Sequence, residues 1–426
     1  MEWTEVIQLI NTTRGKGDKK DLSRITRLLS EVDNPQDDIN VIHVAGTNGK
    51  GTTCAYISQT LKSAGFKTGL YTSPHLETIH ERISINGVNI STEDLTRLTE
   101  KVSPVVARLE EEMKQRFYSF EILTTIAFLY FKEQKIDLLV LETGVGGKID
   151  ATNVVKKPIV SVITSIGFDH THVLGNSLEE ITRHKAGIVK KNAPVVVGPL
   201  KQSLIEVVEE VSNDLDSELT IVDESNIKLM EHSLAQQTFL YKDNVEITTK
   251  LIGHHQLSNT AVAYEALKIV QRNYPQLTDQ LIIEGLYQTN WPGRMQKLYS
   301  KPTVILDGAH NEIGVKALRK SIDQYFPNQK ITFFAGMMVE KDYKKMFNLL
   351  GGVSNKFHLI SPDLTRGFNV DEAVKGLNQA GYAANSVESL GEILSYIENK
   401  ATEDEIIIIF GSLYLVGDLL NLYHNR

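Results

Sequence analysis

Short aliphatic runs, each ending in a polar or glycine-rich turn, alternate along most of the chain with longer stretches whose apolar positions recur every three to four residues. The first kind reads as strands buried on both faces, the second as amphipathic helices. INVIHVA at 39–45 is the first such strand, with a helix expected from about residue 50 to 64. Runs at 67–71, 136–142 and 158–164 repeat the pattern, and ISINGVNI at 83–90 reads as a small hairpin around Asn86-Gly87. Two helices are predicted at about 91–116 and 119–133, the first opened by Ser91 with Asp94 three residues on. Short alternating runs over 215–250 predict an antiparallel addition, followed by a helix at about 256–272.

The alternation breaks near Trp291-Pro292-Gly293 and then resumes. VILD at 304–307, KITFFAG at 330–336, KFHLI at 356–360 and EIIIIFG at 405–411 predict a second set of strands separated by helices. Strands alternating with helices in this way point to mostly parallel α/β sheets. The expectation is an α/β protein of two domains, 1–292 and 293–426, which suits a length of 426 residues.

Composition narrows the class. The net charge of −8, with both signs interspersed, lacks the basic stripe of a nucleic-acid binder. The opening MEWTEVIQLI is not a basic segment followed by an apolar core, and aliphatic runs such as IIII at 406–409 fall far short of a membrane span. Cys54 is the only cysteine, so no intramolecular disulfide can form. A cytoplasmic protein, without nucleic-acid or membrane partners, is expected.

The chemistry starts at VIHVAGTNGKGTT, residues 41–53. A phosphate loop (P-loop) normally reads glycine, four residues, Gly-Lys and then Ser or Thr. Here Val44 occupies the first glycine position and Gly51 separates Lys50 from Thr52. The order strand, glycine loop, helix nevertheless suits an anion site. Gly46, Gly49 and Gly51 permit backbone conformations that a side chain would obstruct, and the helix N-terminus adds partial positive charge. Lys50 can reach the β and γ phosphates, and the hydroxyl of Thr52 or Thr53 can approach Mg²⁺. A glycine turn that binds nothing is the plain alternative. The dinucleotide fingerprint does not fit, because the spacing Gly46, Gly49, Gly51 is wrong for it. The loop reads as an ATP site in variant form.

Further polar clusters follow the predicted strands. YTSPHLETIHERISING at 71–87 leaves the second strand, and Glu142 ends a strand at the glycine turn of LVLETGVGGKIDATNVV. A carboxylate there can hold Mg²⁺ or cap the turn. SIGFDHTHVLGNSLEEITRHKAGIVK at 165–190 carries Asp169, His170, His172, His184 and Lys185. The His-x-His pair invites a zinc reading, although no third ligand stands at a recognisable spacing. Lys185 itself reads as a lysine on a helix surface. Arg294 in WPGRMQ can meet phosphate or make an ordinary salt bridge. Asp307 and His310 close a strand in VILDGAHNEIG.

GTNGKGT, with the preceding DLSRITRLLSEVDNPQDDINVIHVA, resembles the folylpolyglutamate synthase/dihydrofolate synthase family of the Mur-ligase superfamily. The similarity runs through at least five motifs in order, and the extra glycine is then the family's own loop. It implies an N-terminal P-loop ATPase domain and a smaller Rossmann-like C-terminal domain. It also implies ATP at Gly49, Lys50, Gly51, Thr52, Asn259 (in GHHQLSN), Arg294 and Asp307. Two Mg²⁺ sites are implied, with Thr52, Ser73, Glu142 and His170 as ligands and a carbamylated Lys185 supporting the second. Lys50, Lys185, Arg294, Asp307 and His310 are the implied catalytic set. Ser412, in FGSLYLVGDLL, is implied to contact the amino-acid substrate, and Phe120, Glu121 and Asp150 are candidates for the pterin side. Departures are mild: Lys148 where arginine is common, Glu312 for proline, and a weaker match at MMVEKDYKKM, which keeps Lys341 and Asp342.

The activity implied is ATP-dependent addition of L-glutamate to the γ-carboxyl of a (tetrahydro)folate through an acyl phosphate. Conversion of dihydropteroate to dihydrofolate stays open. A monomer is expected, closing on its substrates in an interdomain cleft. Another Mur amide ligase is the main alternative, though only 45 residues precede the glycines, too few for the extra N-terminal domain of a peptidoglycan ligase. A P-loop NTPase switch and a metal-only hydrolase are weaker alternatives.

Overall fold

Eight strands form the first sheet: β1 (Val41–Ala45), β2 (Thr68–Tyr71), β3 (Ile83–Ile85), β4 (Val88–Asn89), β5 (Leu138–Glu142), β6 (Val160–Ile163), β7 (Val195–Val197) and β8 (Leu219–Ile221). The computed structural model describes residues 1–11, 21–339, 341–354, 356–361 and 367–425. The strand order is β4-β3-β2-β5-β1-β6-β7-β8. All pairings are parallel except β2/β3 and β3/β4, where the Asn86-Gly87 hairpin turns back.

Register brings the loops together. Val44 lies opposite Glu142, Ala45 opposite Ile163, and Tyr71 opposite Leu141. The segments after β1, β2, β5 and β6 therefore leave the sheet at one carboxyl edge. The chain runs from β1 to β2 on one side and from β5 across to β6 on the other, and ligands of open α/β sheets bind where such a reversal opens a crevice. Every residue of β1, β2, β5 and β6 is buried, as expected of strands covered on both faces. Helix Ser119–Glu133 supplies an eleven-residue buried run, including Ile122, Leu123, Ile126 and Phe128. Each such side chain contributes about 1.5–3 kcal/mol by leaving water.

The 215–250 region departs in part from expectation. Its first strand, β8, extends the parallel sheet. Only β9 (Ile227–His232), β10 (Gln237–Tyr241) and β11 (Val245–Thr249) form a separate sheet, in the order β11-β10-β9. Connections as short as 233–236 and 242–244 can join only antiparallel neighbours.

A six-stranded sheet follows: β12 (Gln296–Ser300), β13 (Thr303–Asp307), β14 (Ile331–Ala335), β15 (Lys356–Leu359), β16 (Ala383–Ser386) and β17 (Ile406–Phe410), in the order β12-β13-β17-β14-β15-β16. Only β12 runs antiparallel to its neighbour. Phe333, Phe357 and Phe410 pack in its core with ring centroids 5.4 Å apart for Phe333–Phe357 and Phe333–Phe410. By packing, the chain divides into two compact units: Met1–Lys228 with Leu240–Ile247 and Ser258–Thr289, and Leu229–Phe239 with Thr248–Leu257 and Asn290–Arg426. Among the described residues no helix is long and apolar enough to cross a membrane.

Candidate active site

The glycine loop lies between β1 and helix Lys50–Ser63. Gly49 is the helix N-cap at φ 81°, a left-handed conformation, and a Cβ there would come within 2.3 Å of Asn259 Oδ1. Gly46 is equally constrained, since its Cβ would meet Thr164 Oγ1 at 1.9 Å. Gly51 differs from expectation: it sits in the first turn of the helix in ordinary helical conformation, so φ does not dictate glycine there. First-turn amides of a helix have no intrahelical acceptor, which leaves those around Lys50 to Thr52 suited to an anion.

Around this loop the register gathers the charged residues of the first unit. Lys50 Nζ lies 3.8 Å from Glu142 Oε1 and donates to Thr47 O at 3.4 Å. Glu142 is buried and accepts a hydrogen bond from the Ser73 amide at 3.1 Å. Next to Ser73, the His75 ring accepts at Nδ1 from Arg82 Nε at 2.9 Å. Burial, helped by the Arg82 charge, lowers the His75 pKa to about 4 and keeps that ring neutral. Thr52 is buried in the same helix turn. Thr52, Ser73 and Glu142 offer hydroxyl and carboxylate oxygens, the donor chemistry that suits Mg²⁺.

Lys185 corrects the surface reading. It is 3 % exposed, and its Nζ donates to Gly46 O at 2.7 Å. Burial first, and the nearby Lys50 charge second, lower its pKa to about 7, against the pull of Asp169 and Asp150. A substantial neutral fraction near pH 7 is what an amine needs to capture CO₂. The sequence could not show this burial, because the residues that cover Lys185 come from other strands' loops.

His170 sits on the loop after β6 with φ 48°, half exposed, its Nε2 3.9 Å from Asp169 Oδ1. The His170 and His172 rings are 6.3 Å apart. Among the described residues no group of three or more His, Cys, Asp or Glu is arranged to hold a metal, so the zinc reading gains no support. Asp169 and His184, which the sequence marks in the same polar segment without assigning them a role, join the group around Lys185. Both lie close enough to Lys185 for their charges to interact, and burial lowers the His184 pKa.

The three pterin candidates have internal roles. Glu121 is fully buried, where it accepts from Arg24 Nε at 3.1 Å and from the Tyr118 amide at 2.9 Å. Asp150 accepts from the Val145 amide at 2.9 Å, the Thr152 amide at 3.0 Å and the Thr152 hydroxyl at 2.7 Å, fixing the turn after Glu142. Phe120 packs against Tyr71, centroids 5.8 Å apart, and its ring closes on Gly144.

In the second unit, Asp307 at the end of β13 is buried and accepts from the amides of Met295 at 2.9 Å and Ala309 at 2.8 Å. That carboxylate holds the WPGRM turn against β13, and Arg294 Nη1 returns to Gly293 O at 3.0 Å. His310 Nδ1 bonds Gly308 O at 2.8 Å, and Asn311 caps helix Glu312–Tyr325. Glu312, in the usual proline position, pairs with Lys316 and Lys345 at 2.6 Å each. Ser412 is the buried N-cap of helix Leu413–His424, accepting from the Tyr414 amide at 3.1 Å.

Family models match this layout. Residues 44–267 match the Mur ligase middle domain and residues 293–413 the Mur ligase glutamate ligase domain. Fold and site thus define a Mur ligase. The chain is 36% identical over 412 residues to the dihydrofolate synthase/folylpolyglutamate synthase of Bacillus subtilis, with 95% of each chain covered. It is 34% identical to the folylpolyglutamate synthase of Lacticaseibacillus casei, over 98% of this chain and 97% of the relative. An FPGS–AMPPCP–folate complex superposes with a TM-score of 0.85 at 30% identity, over 99% of this chain and all of the other. The chain belongs to the folylpolyglutamate synthase/dihydrofolate synthase family of the Mur ligases.

Proposed function

We infer that this chain is an ATP-dependent ligase that joins L-glutamate to the γ-carboxyl of a folate. The observation that carries the reading is the grouping of Lys50, Ser73, Glu142 and Lys185 about a glycine loop at one sheet edge, in a chain related end to end to folate ligases. In the reaction, the folate γ-carboxylate attacks the γ-phosphorus of ATP, and ADP leaves. The amine of glutamate then attacks the acyl phosphate carbon, loses a proton, and inorganic phosphate departs.

Two anions meet in the first step, so cationic groups must offset their repulsion. Lys50 serves the β and γ phosphates, helped by the helix N-terminus, with Gly49, Gly51 and Asn259 shaping the nucleotide side. Mg²⁺ at Thr52, Ser73 and Glu142 would neutralise phosphate charge and orient it. A second ion would lie near His170 and a carbamylated Lys185. Arg294 and His310 act on developing negative charge, Asp307 by keeping Arg294's turn in place, and Ser412 on the incoming glutamate. For the pterin side, Phe120 offers a ring face, while Glu121 and Asp150 act through the backbone they hold.

The test is ADP release with Mg-ATP and L-glutamate, comparing tetrahydrofolate and dihydropteroate as acceptors. Glutamate-dependent turnover with tetrahydrofolate supports the reading. Turnover with both acceptors establishes the dual activity that the B. subtilis relative's name carries. ADP formed without any acceptor, or never formed, overturns it.

A further inference from the structure

The pairing of β1 with β6 does not stop where the strands end. The Thr164 amide donates to Ala45 O at 2.9 Å, one step past the last strand pair. Beyond it the two loops separate, and hydroxyl side chains take over. Thr47 Oγ1 accepts from the Gly167 amide at 3.0 Å and donates to the Gly167 carbonyl at 3.2 Å. Ser165 Oγ accepts from the Asn48 amide at 3.0 Å and donates to the Asn48 carbonyl at 3.0 Å. Each loop thus sends one hydroxyl to grip both backbone groups of one residue on the other. Thr164 Oγ1 adds a bond to Asn48 O at 2.7 Å, and the Thr47 amide donates to Ser165 O at 2.7 Å.

This clasp joins two segments with different duties. One carries Gly49 and Lys50 for the nucleotide. The other runs within a few residues to Asp169 and His170, and Asp169 acts electrostatically on Lys185. We propose that Thr47 and Ser165 are positioning residues that tie the phosphate loop to the Asp169–His170 loop, so that seating the nucleotide sets both together. The proposal rests on the ligase reading. The Thr47 and Asn48 amides serve the clasp, which leaves anion contact to the amides from Gly49 onward. Loss of the clasp should therefore spare nucleotide binding and misplace the second loop, a kcat effect rather than a KM effect.

Thr47→Val, Thr47→Ser and Ser165→Ala are compared with wild type in two assays. In glutamate-dependent ADP release, Thr47→Val and Ser165→Ala should lower kcat by ~10-fold or more while KM for ATP changes less than ~3-fold, and Thr47→Ser should restore most of the rate. In amide hydrogen exchange, Mg-AMPPCP should slow exchange across both 45–53 and 165–172 in wild type, but across 45–53 alone in Thr47→Val. The proposal is overturned if folded Thr47→Val turns over like wild type, if Thr47→Ser is as impaired as Thr47→Val, or if nucleotide protects 165–172 equally in both. Should Thr47→Val not fold, Ser165→Ala carries the same two expectations. Wild-type protein that binds nucleotide and couples the loops, yet lacks glutamate-dependent turnover, would sink the ligase reading and leave the clasp standing.

Discussion

Lys185 is buried by loops from distant parts of the chain, with its Nζ held on Gly46 O at 2.7 Å, and that burial lowers its pKa to about 7. Its lowered pKa leads to a direct expectation: stripping dissolved CO₂ should reduce kcat, and added bicarbonate should restore it, with Lys185→Ala insensitive to both. Equal rates with and without bicarbonate in wild type would exclude carbamylation. His43 gives a second expectation. Buried in β1, it faces Thr152 Oγ1 at 2.8 Å, and because that hydroxyl donates to Asp150, His43 must donate from Nε2. Burial lowers its pKa from 6.5 to about 3. The unfolded chain therefore binds more protons between those values, so stability is full above pH 6.5 and falls as pH drops toward 3. At pH 5 the loss from this group is about 2 kcal/mol. Urea unfolding at pH 7 and pH 5 checks it: His43→Asn should lose less between the two, and an unchanged difference would refute the assignment.

At the scale of elements, strand-helix alternation was readable in buried strands of at least four residues, such as β1, β5, β6, β13 and β17. It failed for β7, β8, β12 and β16, which are short, lie toward or at sheet edges, or carry exposed polar residues such as those of β16. Edge strands need less apolar sequence and so leave a weaker pattern. The Asp307 carboxylate shows how one strand end organises a neighbouring turn, because it holds the Met295 and Ala309 amides at once. Asp307→Asn keeps the shape but turns one charged acceptor into an amide that offers N–H to an N–H. The cost should be about 1–3 kcal/mol, from a weakened or unmet buried amide. It should appear as a lower Tm together with a reduced rate, because Arg294 lies in the turn that Asp307 secures. A variant with wild-type Tm and wild-type kcat would remove Asp307 from the proposed machinery.

For the whole molecule, the candidate nucleotide residues other than Arg294 and Asp307 belong to one compact unit, although they come from segments as distant as Gly49 and Asn259. This distribution was visible in the sequence only through the motif order, since nothing in the local pattern around Asn259 points to Gly49. It has a thermodynamic consequence. A ligand that binds only the folded form stabilises it by about 2.7 kcal/mol when present at 100 times its Kd. Mg-AMPPCP should therefore raise the melting temperature, and if melting resolves into two steps, the step assigned to the first unit should carry most of the shift. Chelating the metal with EDTA should shrink the shift, because Lys50 alone would then offset the repulsion between the phosphates and the Glu142 carboxylate. Lys50→Met should shrink it further. A shift of equal size in all three cases would mean that binding depends on neither the lysine nor the metal. The nucleotide would then be held by contacts other than those at the glycine loop.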